Sequence, residues 1–433
     1  MSDPVADESQ TGEVPADVPG GDEAQPGEEL PDAVRVILRP RRAQPFFGRH
    51  PWVFEGAIDA VESPSGDEPA AGTAAELWSA KQEFIAHGLW NPHSNIRLRL
   101  YSWDQAQPID DNLLVQRIHS AVELRRNLFD LNHPAVGCRL IFSESDELSG
   151  LTVDAYGRFL LVQFTSLALF DRRDQIVAAL QNECQPTGIW LRTEKGMREA
   201  EGLKAVDGLV SGSAPPRPLF LEEHGVQYGV DVQEGQKTGC YLDQRDNRRR
   251  AARFLSGRKV LDAFCFSGGF GIMAVKQGGA TSVIGIDSSA SALTLAAANA
   301  ELNNVSDRCQ YRRNDVQAEL EQMAGQGTTF DAVILDPPRM ARTRGGLSRA
   351  IKGYQRLNLA ALAVLRPGGI LVTCSCSGLV SRDEFRDMIG DVARTSRRTI
   401  QILEQHGQPA DHPVSATCPE TEYLKMFICR VVN

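Results

Sequence analysis

From about residue 217 onward, apolar runs alternate with Ala-rich helical stretches, and this alternation restricts the fold of the chain more than any other feature. Runs at 259–264, 282–286, 308–312, 331–335 and 369–374 read as strands, and Ser291-Ala-Leu-Thr-Leu-Ala-Ala-Ala-Asn299 reads as one of the intervening helices. Strands spaced this way pair in parallel, each connection crossing a face of the sheet as a helix. The expected fold class is α/β, with a Rossmann-like, doubly wound C-terminal domain over 217–433.

The rest of the chain is organised differently. At 433 residues it has room for two or three domains. Over 34–107, Val34, Val36 and Leu38 alternate with other residues, as do Ile96, Leu98 and Leu100, which puts Arg97 and Arg99 on the opposite face. Turns at Phe47-Gly48, Ser63-Pro-Ser-Gly66 and Asn91-Pro92 divide this part into short strands of a small β domain. Most of its aromatics (Phe46, Phe47, Trp52 and Phe54, interleaved with Arg49 and His50) belong in a core, with one or two rings left exposed for RNA. Residues 108–216 read as a central α+β domain: a connecting helix near 112–131, strands at 139–142 and 161–164 separated by a turn at Tyr156-Gly157, a helix near 171–182, and a strand at 189–192. The acids Glu144, Asp146, Glu199 and Glu201 are expected on exposed loops.

Charge is unevenly distributed. The net charge is −10, but ten of the 56 acids lie in residues 1–32, which hold no Lys or Arg; the remainder balances, 46 acids to 46 bases. The Pro- and Gly-rich acidic head over 1–33 is expected to be disordered. Positive charge then clusters in three runs: Arg35, Arg39, Arg41, Arg42 and Arg49; Arg245, Arg248, Arg249, Arg250, Arg253, Arg258 and Lys259; and Arg339, Arg342, Arg344, Arg349, Lys352 and Arg356. One such run is ordinarily a solvated face, whereas three suit a polyanionic substrate. No apolar run is long enough to cross a bilayer, and the N-terminus lacks the basic and apolar regions of a signal peptide. Nine cysteines without repeat spacing fit free thiols in a reducing cytosol, so a cytoplasmic protein is expected.

Four acid- or thiol-bearing segments fall at predicted strand ends. Val260-Leu-Asp-Ala-Phe-Cys-Phe-Ser-Gly-Gly-Phe270 runs a strand into a glycine turn, where Phe264, Ser267 and Gly268 let backbone approach a cofactor. Asp287, ending the second strand, is placed to grip ribose hydroxyls. This turn lacks the G-x-G-x-x-G spacing of dinucleotide enzymes, and Asp262 at the mouth of the first strand would repel a pyrophosphate. A carboxylate there suits the ammonium of S-adenosyl-L-methionine (SAM), with Asn314 and Asp315 receiving the adenine amino group. Taken singly, each acid would be read as a helix cap or loop residue.

Asp336-Pro-Pro338 ends the fourth strand. Methyltransferases acting on exocyclic amines carry a similar motif closed by an aromatic, and here Arg339 follows instead. Methylation at pyrimidine carbon 5 is the alternative, and it needs a nucleophile at carbon 6. Cys376, just beyond the last strand in Thr373-Cys-Ser-Cys-Ser-Gly378, can serve as that thiolate. Cys138, Cys184, Cys265, Cys309 and Cys429 read as core residues, Cys374 packs within its strand, and Cys374-x-Cys376 lacks the second ligand pair a metal site would need.

With those residues in view, the chain resembles the large-subunit ribosomal RNA cytosine-carbon-5 methyltransferase I family over about 34–433. The matching segments are Gly88–Pro92, Glu144–Asp146 with Gly150–Asp154, Gly235-Gln-Lys-Thr-Gly-Cys-Tyr-Leu-Asp-Gln-Arg245, Leu261–Phe264, Asp336–Pro338, Ser375–Leu379 and Ala410-Asp-His-Pro413. The resemblance implies a PUA-like N-terminal barrel, a central domain and a SAM-dependent methyltransferase domain. It implies Cys376 as nucleophile, Asp336 at the target base, and large-subunit ribosomal RNA as partner; the basic runs are expected to put Arg39, Arg41, Arg42, Arg49, Arg339, Arg342 and Arg344 on that RNA. A homodimer is compatible with it. Departures are Cys240 where an aromatic is usual and Arg339-Met340 where Lys-Phe is usual. A related group that methylates guanine nitrogen 7 lacks the motif cysteine. The residues by themselves also leave room for a catalytically silent RNA-binding factor and for a small-molecule methyltransferase, the latter disfavoured by the Arg runs and the extra N-terminal domain.

Overall fold

The computed structural model describes residues 32–433 except 194–195, 204–206, 234–239, 342 and the side chain of residue 198. The acidic head up to residue 31, Arg342 and the Gly235–Gly239 part of the long motif lie outside the described residues.

The N-terminal part is one six-stranded sheet of β1 (Val34–Leu38), β2 (Trp52–Phe54), β3 (Ile58–Glu62), β4 (Ala74–Trp78), β5 (Phe84–Trp90) and β6 (Ile96–Ser102), in the order β2-β6-β5-β4-β1-β3. Val36, Leu38, Leu77, Leu98 and Leu100 form its core with Phe46, while Phe47 and Phe54 stay about half exposed. The central part is a five-stranded sheet of β7 (Gly137–Phe142), β8 (Leu151–Tyr156), β9 (Phe159–Phe164), β10 (Gly188–Leu191) and β11 (Gly208–Gly212), ordered β11-β10-β9-β8-β7. Helices Asp111–Leu128 and Arg173–Cys184 share its core. The turn at Tyr156-Gly157 joins β8 to β9, so the sequence reading missed β8 altogether. A hairpin of β12 (Leu219–Glu223) and β13 (Val226–Val230) follows.

The C-terminal sheet contains β14 (Lys259–Ala263), β15 (Ser282–Asp287), β16 (Cys309–Arg313), β17 (Phe330–Leu335), β18 (Leu365–Ser375), β19 (Ile400–His406) and β20 (Lys425–Val431), ordered β16-β15-β14-β17-β18-β20-β19. The five expected strands are parallel; β19 and β20 pair antiparallel along one edge and were not anticipated. Alternate residues of each central strand enter two separate cores. Val260, Ala332, Ile334, Ile370 and Val372 pack on one side, and Leu261, Ala263, Val333, Leu335 and Leu371 on the other. Cover on both faces is why these strands read as continuous apolar runs. The chain steps outward from β14 to β16 and returns to β17, which leaves the crevice of a doubly wound sheet beyond the carboxyl ends of β14 and β17.

A buried ion pair joins the N-terminal and central parts, hydrogen bonds of Arg125, Arg139 and Arg245 join the central and C-terminal parts, and the buried charges correct two expectations. Glu144, Asp146 and Glu201 are not exposed loop acids. Glu201 binds Arg99 at 3.0 Å and accepts from Asn91 and Ser94; Glu144 accepts from Trp52 and Ser149; Asp146 holds Arg125 at 2.7 Å. Nor is the run from Arg245 to Lys259 wholly a basic surface. Arg245 pairs with buried Asp411 at 3.0 Å and Arg248 with buried Glu223 at 3.0 Å, since charges in the interior require partners.

Candidate active site

Strand periodicity assembles the site. Asp262 shares a face with Val260, Asp336 follows Ala332 and Ile334 at the same spacing, and Cys376 continues Ile370, Val372 and Cys374. All three lie at the carboxyl ends of adjacent strands β14, β17 and β18. The Cys376 thiol lies 3.8 Å from the Pro337 carbonyl oxygen, so thiol and Asp-Pro-Pro loop are in contact. Cys376 is half-buried, unlike Cys138, Cys265, Cys309, Cys374 and Cys429, which are buried core residues as expected; Cys184, also expected in a core, is only half-buried at the edge of the central one.

The surroundings of Cys376 and Asp336 include residues the sequence reading did not single out. Gln244 Nε2 donates to Asp336 Oδ1 at 2.9 Å. The Tyr423 hydroxyl donates to Asp243 Oδ2 at 2.7 Å. Lys425 is buried, donating from Nζ to the carbonyl oxygens of Ser377 (2.7 Å) and Tyr423 (2.9 Å). Burial lowers its pKa to about 8, with the negative charge of Cys376 the main opposing influence. Burial likewise pushes the Tyr241 and Tyr354 hydroxyls up, and Cys376 adds to both. Asp243 and Gln244 belong to the Gly235–Arg245 motif and were visible only as part of a matched segment. Tyr423 and Lys425 were missed together with β20.

The glycine turn has the shape of a cofactor cradle. Phe264 (φ +63°) and Phe266 (φ +47°) both adopt left-handed backbone, and Gly268 (φ +83°) begins the helix Gly269–Lys276. A Cβ on Gly268 would lie 2.8 Å from the Tyr311 hydroxyl oxygen. Ser267 is buried, its carbonyl accepting from Asn299. Asp287 is held by two backbone amides, of Phe266 at 3.0 Å and Ser289 at 2.9 Å, which fixes its carboxylate at the end of β15. Asp262 is buried: Oδ2 accepts from the Gly271 amide at 2.8 Å, and Oδ1 has no hydrogen-bond partner among the described residues. An orphaned carboxylate oxygen beside a glycine turn fits a ligand bearing a cation. Asn314 and Asp315 are exposed beyond β16; Asn314 donates to Glu319 at 2.7 Å, and Asp315 caps the helix Val316–Gly325 through Ala318 N–H.

The basic residues Arg39, Arg41, Arg42, Arg49, Arg339 and Arg344 are all exposed. Two groupings among the described residues could converge on an ion, His50–Cys418–Glu420 and His119–Glu123–Glu183, and neither includes Cys374 or Cys376. No helix among the described residues is long and apolar enough to cross a membrane.

Comparison with known proteins accounts for both ends of the chain. Residues 36–103 match the model of a PUA-like domain, and residues 209–422 match that of S-adenosylmethionine-dependent methyltransferases. The chain is similar in fold to a Streptococcus mutans protein assigned as a SAM-dependent methyltransferase (TM-score 0.78, 20% identity, covering 92% of this chain and 100% of that one). A second structure, a complex with SAH, aligns with TM-score 0.79 at 20% identity over the same shares. Curated relatives are nearer in sequence. The ribosomal RNA large subunit methyltransferase I of Photobacterium profundum is 40% identical over 398 residues, 92% of this chain and 99% of that protein. Its counterpart in Erwinia tasmaniensis is 39% identical over 400 residues, 92% and 100%. A PUA-like domain, a SAM-dependent methyltransferase domain and that degree of identity along almost the whole of both chains lead to one conclusion: this protein belongs to the ribosomal RNA large subunit methyltransferase I family.

Proposed function

We propose that the protein methylates carbon 5 of a cytosine in large-subunit ribosomal RNA, with Cys376 as a transient covalent nucleophile. The observation that carries this reading is the contact between the half-buried Cys376 thiol and the Asp336-Pro-Pro loop at the carboxyl edge of the sheet. A thiolate there adds to carbon 6 of a flipped base, while Asp336 hydrogen-bonds the ring nitrogen and makes carbon 5 nucleophilic. Lys425, buried beside Cys376, favours the anionic sulfur electrostatically. SAM, when bound, supplies an electrophilic methyl group; Asp262, Phe264, Ser267, Gly268, Asp287, Asn314 and Asp315 are the residues that would hold it.

The parts divide the labour as 34–107 for RNA contact, 108–216 as connector and 217–433 for methyl transfer. Exposed Arg39, Arg41, Arg42, Arg49, Arg339 and Arg344, with Phe47 and Phe54, supply phosphate and stacking contacts. A guanine-nitrogen-7 enzyme would have no use for a thiol at this position. The test is mass spectrometry of ribosomal RNA modified by the wild type and by Cys376→Ala. Wild type yields 5-methylcytosine, and the variant loses at least about a thousandfold in rate while retaining SAM affinity. A methyl group on nitrogen, or full activity without the thiol, refutes the reading.

A further inference from the structure

We infer that the cavity where the three parts of the chain meet is a second base pocket, in which Glu144 holds the ring edge of an unpaired guanine from the same RNA. The inference rests on the RNA-substrate reading above and is independent of which atom of that RNA is methylated. The cavity has a volume of about 240 Å³. Its walls come from all three parts: Arg49 and Trp103 from the N-terminal part, Glu144, Ser145 and Ser149 from the central part, and Thr417 from the C-terminal part. That volume suits one planar base, since pockets for drug-sized ligands run to roughly 300–1,000 Å³.

Glu144 is held by one oxygen and offers the other. Its side chain is 11% exposed. Oε1 accepts from Trp52 Nε1 at 3.0 Å and from Ser149 Oγ at 2.8 Å, and faces Arg99 at 3.7 Å. Oε2 has no hydrogen-bond partner among the described residues and is not sealed from solvent, so the open half of the carboxylate lies in the cavity wall. The Trp103 ring is fixed as well, because its Nε1 donates to the Phe46 carbonyl at 2.8 Å. Arg49 is exposed at the rim, where it can meet a phosphate. The second acid of the cavity, Glu147, is exposed and lies 3.5 Å from Arg117. A fixed aromatic face, a fixed acceptor and a rim cation are the means by which single-stranded bases are held.

The carboxylate selects the base, because an ionised carboxylate only accepts. Guanine sets two donors, N1–H and N2–H, side by side on its pairing edge. Adenine and cytosine place an acceptor nitrogen beside their amino group, and uracil flanks its N–H with two carbonyls. Those acceptors would face Oε2 and be repelled. The cavity also lies near the reaction. Phe142, two residues before Glu144, has its ring 6.1 Å from that of Tyr423, whose hydroxyl donates to Asp243, next to the Gln244 that donates to Asp336. The two sites therefore share one seam between the central and C-terminal parts, and one strand can occupy both.

Kethoxal, which bonds to N1 and N2 of unpaired guanines, reads this edge directly. On an unmodified transcript of large-subunit ribosomal RNA, the full-length wild type should protect a guanine close to the methylated nucleotide. Glu144→Gln keeps an acceptor for Trp52 and Ser149 but turns the open atom into a donor. It should restore the reactivity of that guanine and raise KM for the RNA about tenfold or more, with kcat and SAM affinity within about twofold. Thermal melts establish that the variant is folded. Thr417→Trp narrows the mouth from its exposed rim without touching Glu144, and supplies the same footprint should Glu144→Gln unfold. A guanine that stays protected in the folded variants overturns the inference, as does an unmoved KM or a fall in kcat alone, which marks a scaffold role. Protection of no guanine by wild type on RNA that it binds and methylates overturns it too. Absence of RNA binding by wild type sinks the RNA-substrate reading instead, and the inference with it.

Discussion

Asp262 carries its carboxyl where a carboxylate is hard to maintain. Burial, opposed by the Gly271 amide and reinforced by Asp336 and Asp287, raises its pKa to about 7. In the unfolded chain the same group titrates near 4, so the folded state binds the extra proton between those values. Without cofactor, this residue therefore costs stability increasingly as pH rises from about 4 to 7, and the full cost persists above. Asp262→Asn should stabilise the SAM-free protein by roughly 1–3 kcal/mol at pH 8 and by little at pH 4, measured by urea unfolding at both values. The same substitution should weaken SAM binding about tenfold or more at pH 8 and abolish the loss of affinity below pH 7. An unchanged affinity would exclude Asp262 as the partner of a cation. Asp262, Asp336 and Cys376 were readable in the sequence because each terminates an apolar strand. Gln244, Tyr423 and Lys425 were not, because their importance lies in neighbours about 50 to 180 residues away.

The elements that escaped the sequence are buried ones. β20 (Lys-Met-Phe-Ile-Cys-Arg-Val) is covered on both faces and shows no alternation, and its lysine disguises it further. The segment before it carries Asp411, which accepts from Arg245 and from the Arg139 amide, while its carbonyl accepts from Arg125. Burial works to raise the Asp411 carboxyl, but His412, Arg245 and the Arg139 amide outweigh it and hold it well below the usual carboxylate range. A depressed carboxylate contributes stability that is fully present above its unfolded pKa and is lost as pH falls below that value through its lower folded pKa. Asp411→Ala leaves Arg245 buried without its carboxylate partner, while the backbone carbonyl that accepts from Arg125 remains, and should cost about 3–5 kcal/mol near pH 7, the difference narrowing in acid. Chemical denaturation at pH 7 and near pH 2.5 checks this, and a cost that is small at both would mean that the Asp411 carboxylate is not what joins β7 to the C-terminal sheet. Arg99 and Glu201 deceived the sequence reading for a related reason: an alternating strand and an acidic loop look solvated until each is the other's partner.

At the scale of the whole molecule, the Arg99–Glu201 pair and the hydrogen bonds about Asp411 and Gly137 link the three sheets, and His50 of the N-terminal part meets Glu420 of the C-terminal part at 3.3 Å. The exposed arginines of the N-terminal part would then serve one RNA together with the site. Neutralising Arg39, Arg41, Arg42 and Arg49 together should weaken binding at low salt and reduce the slope of log affinity against log salt by about 2–3. The check is a fluorescence titration with ribosomal RNA fragments at several ionic strengths; a slope equal to wild type would remove these residues from the interface.

By itself the sequence determined the parallel α/β core and the strand-end positions of Asp262, Asp287, Asp336 and Cys376. Both follow from local periodicity, and local periodicity is written into consecutive residues. Tertiary structure alone decided which arginines face solvent and which are locked in pairs, that the antiparallel edge brings Lys425 and Tyr423 to the thiol, and that Gln244 reaches Asp336. These depend on desolvation and on long-range partners, and a charged side chain becomes structural only when the fold removes water from it and supplies the opposite charge.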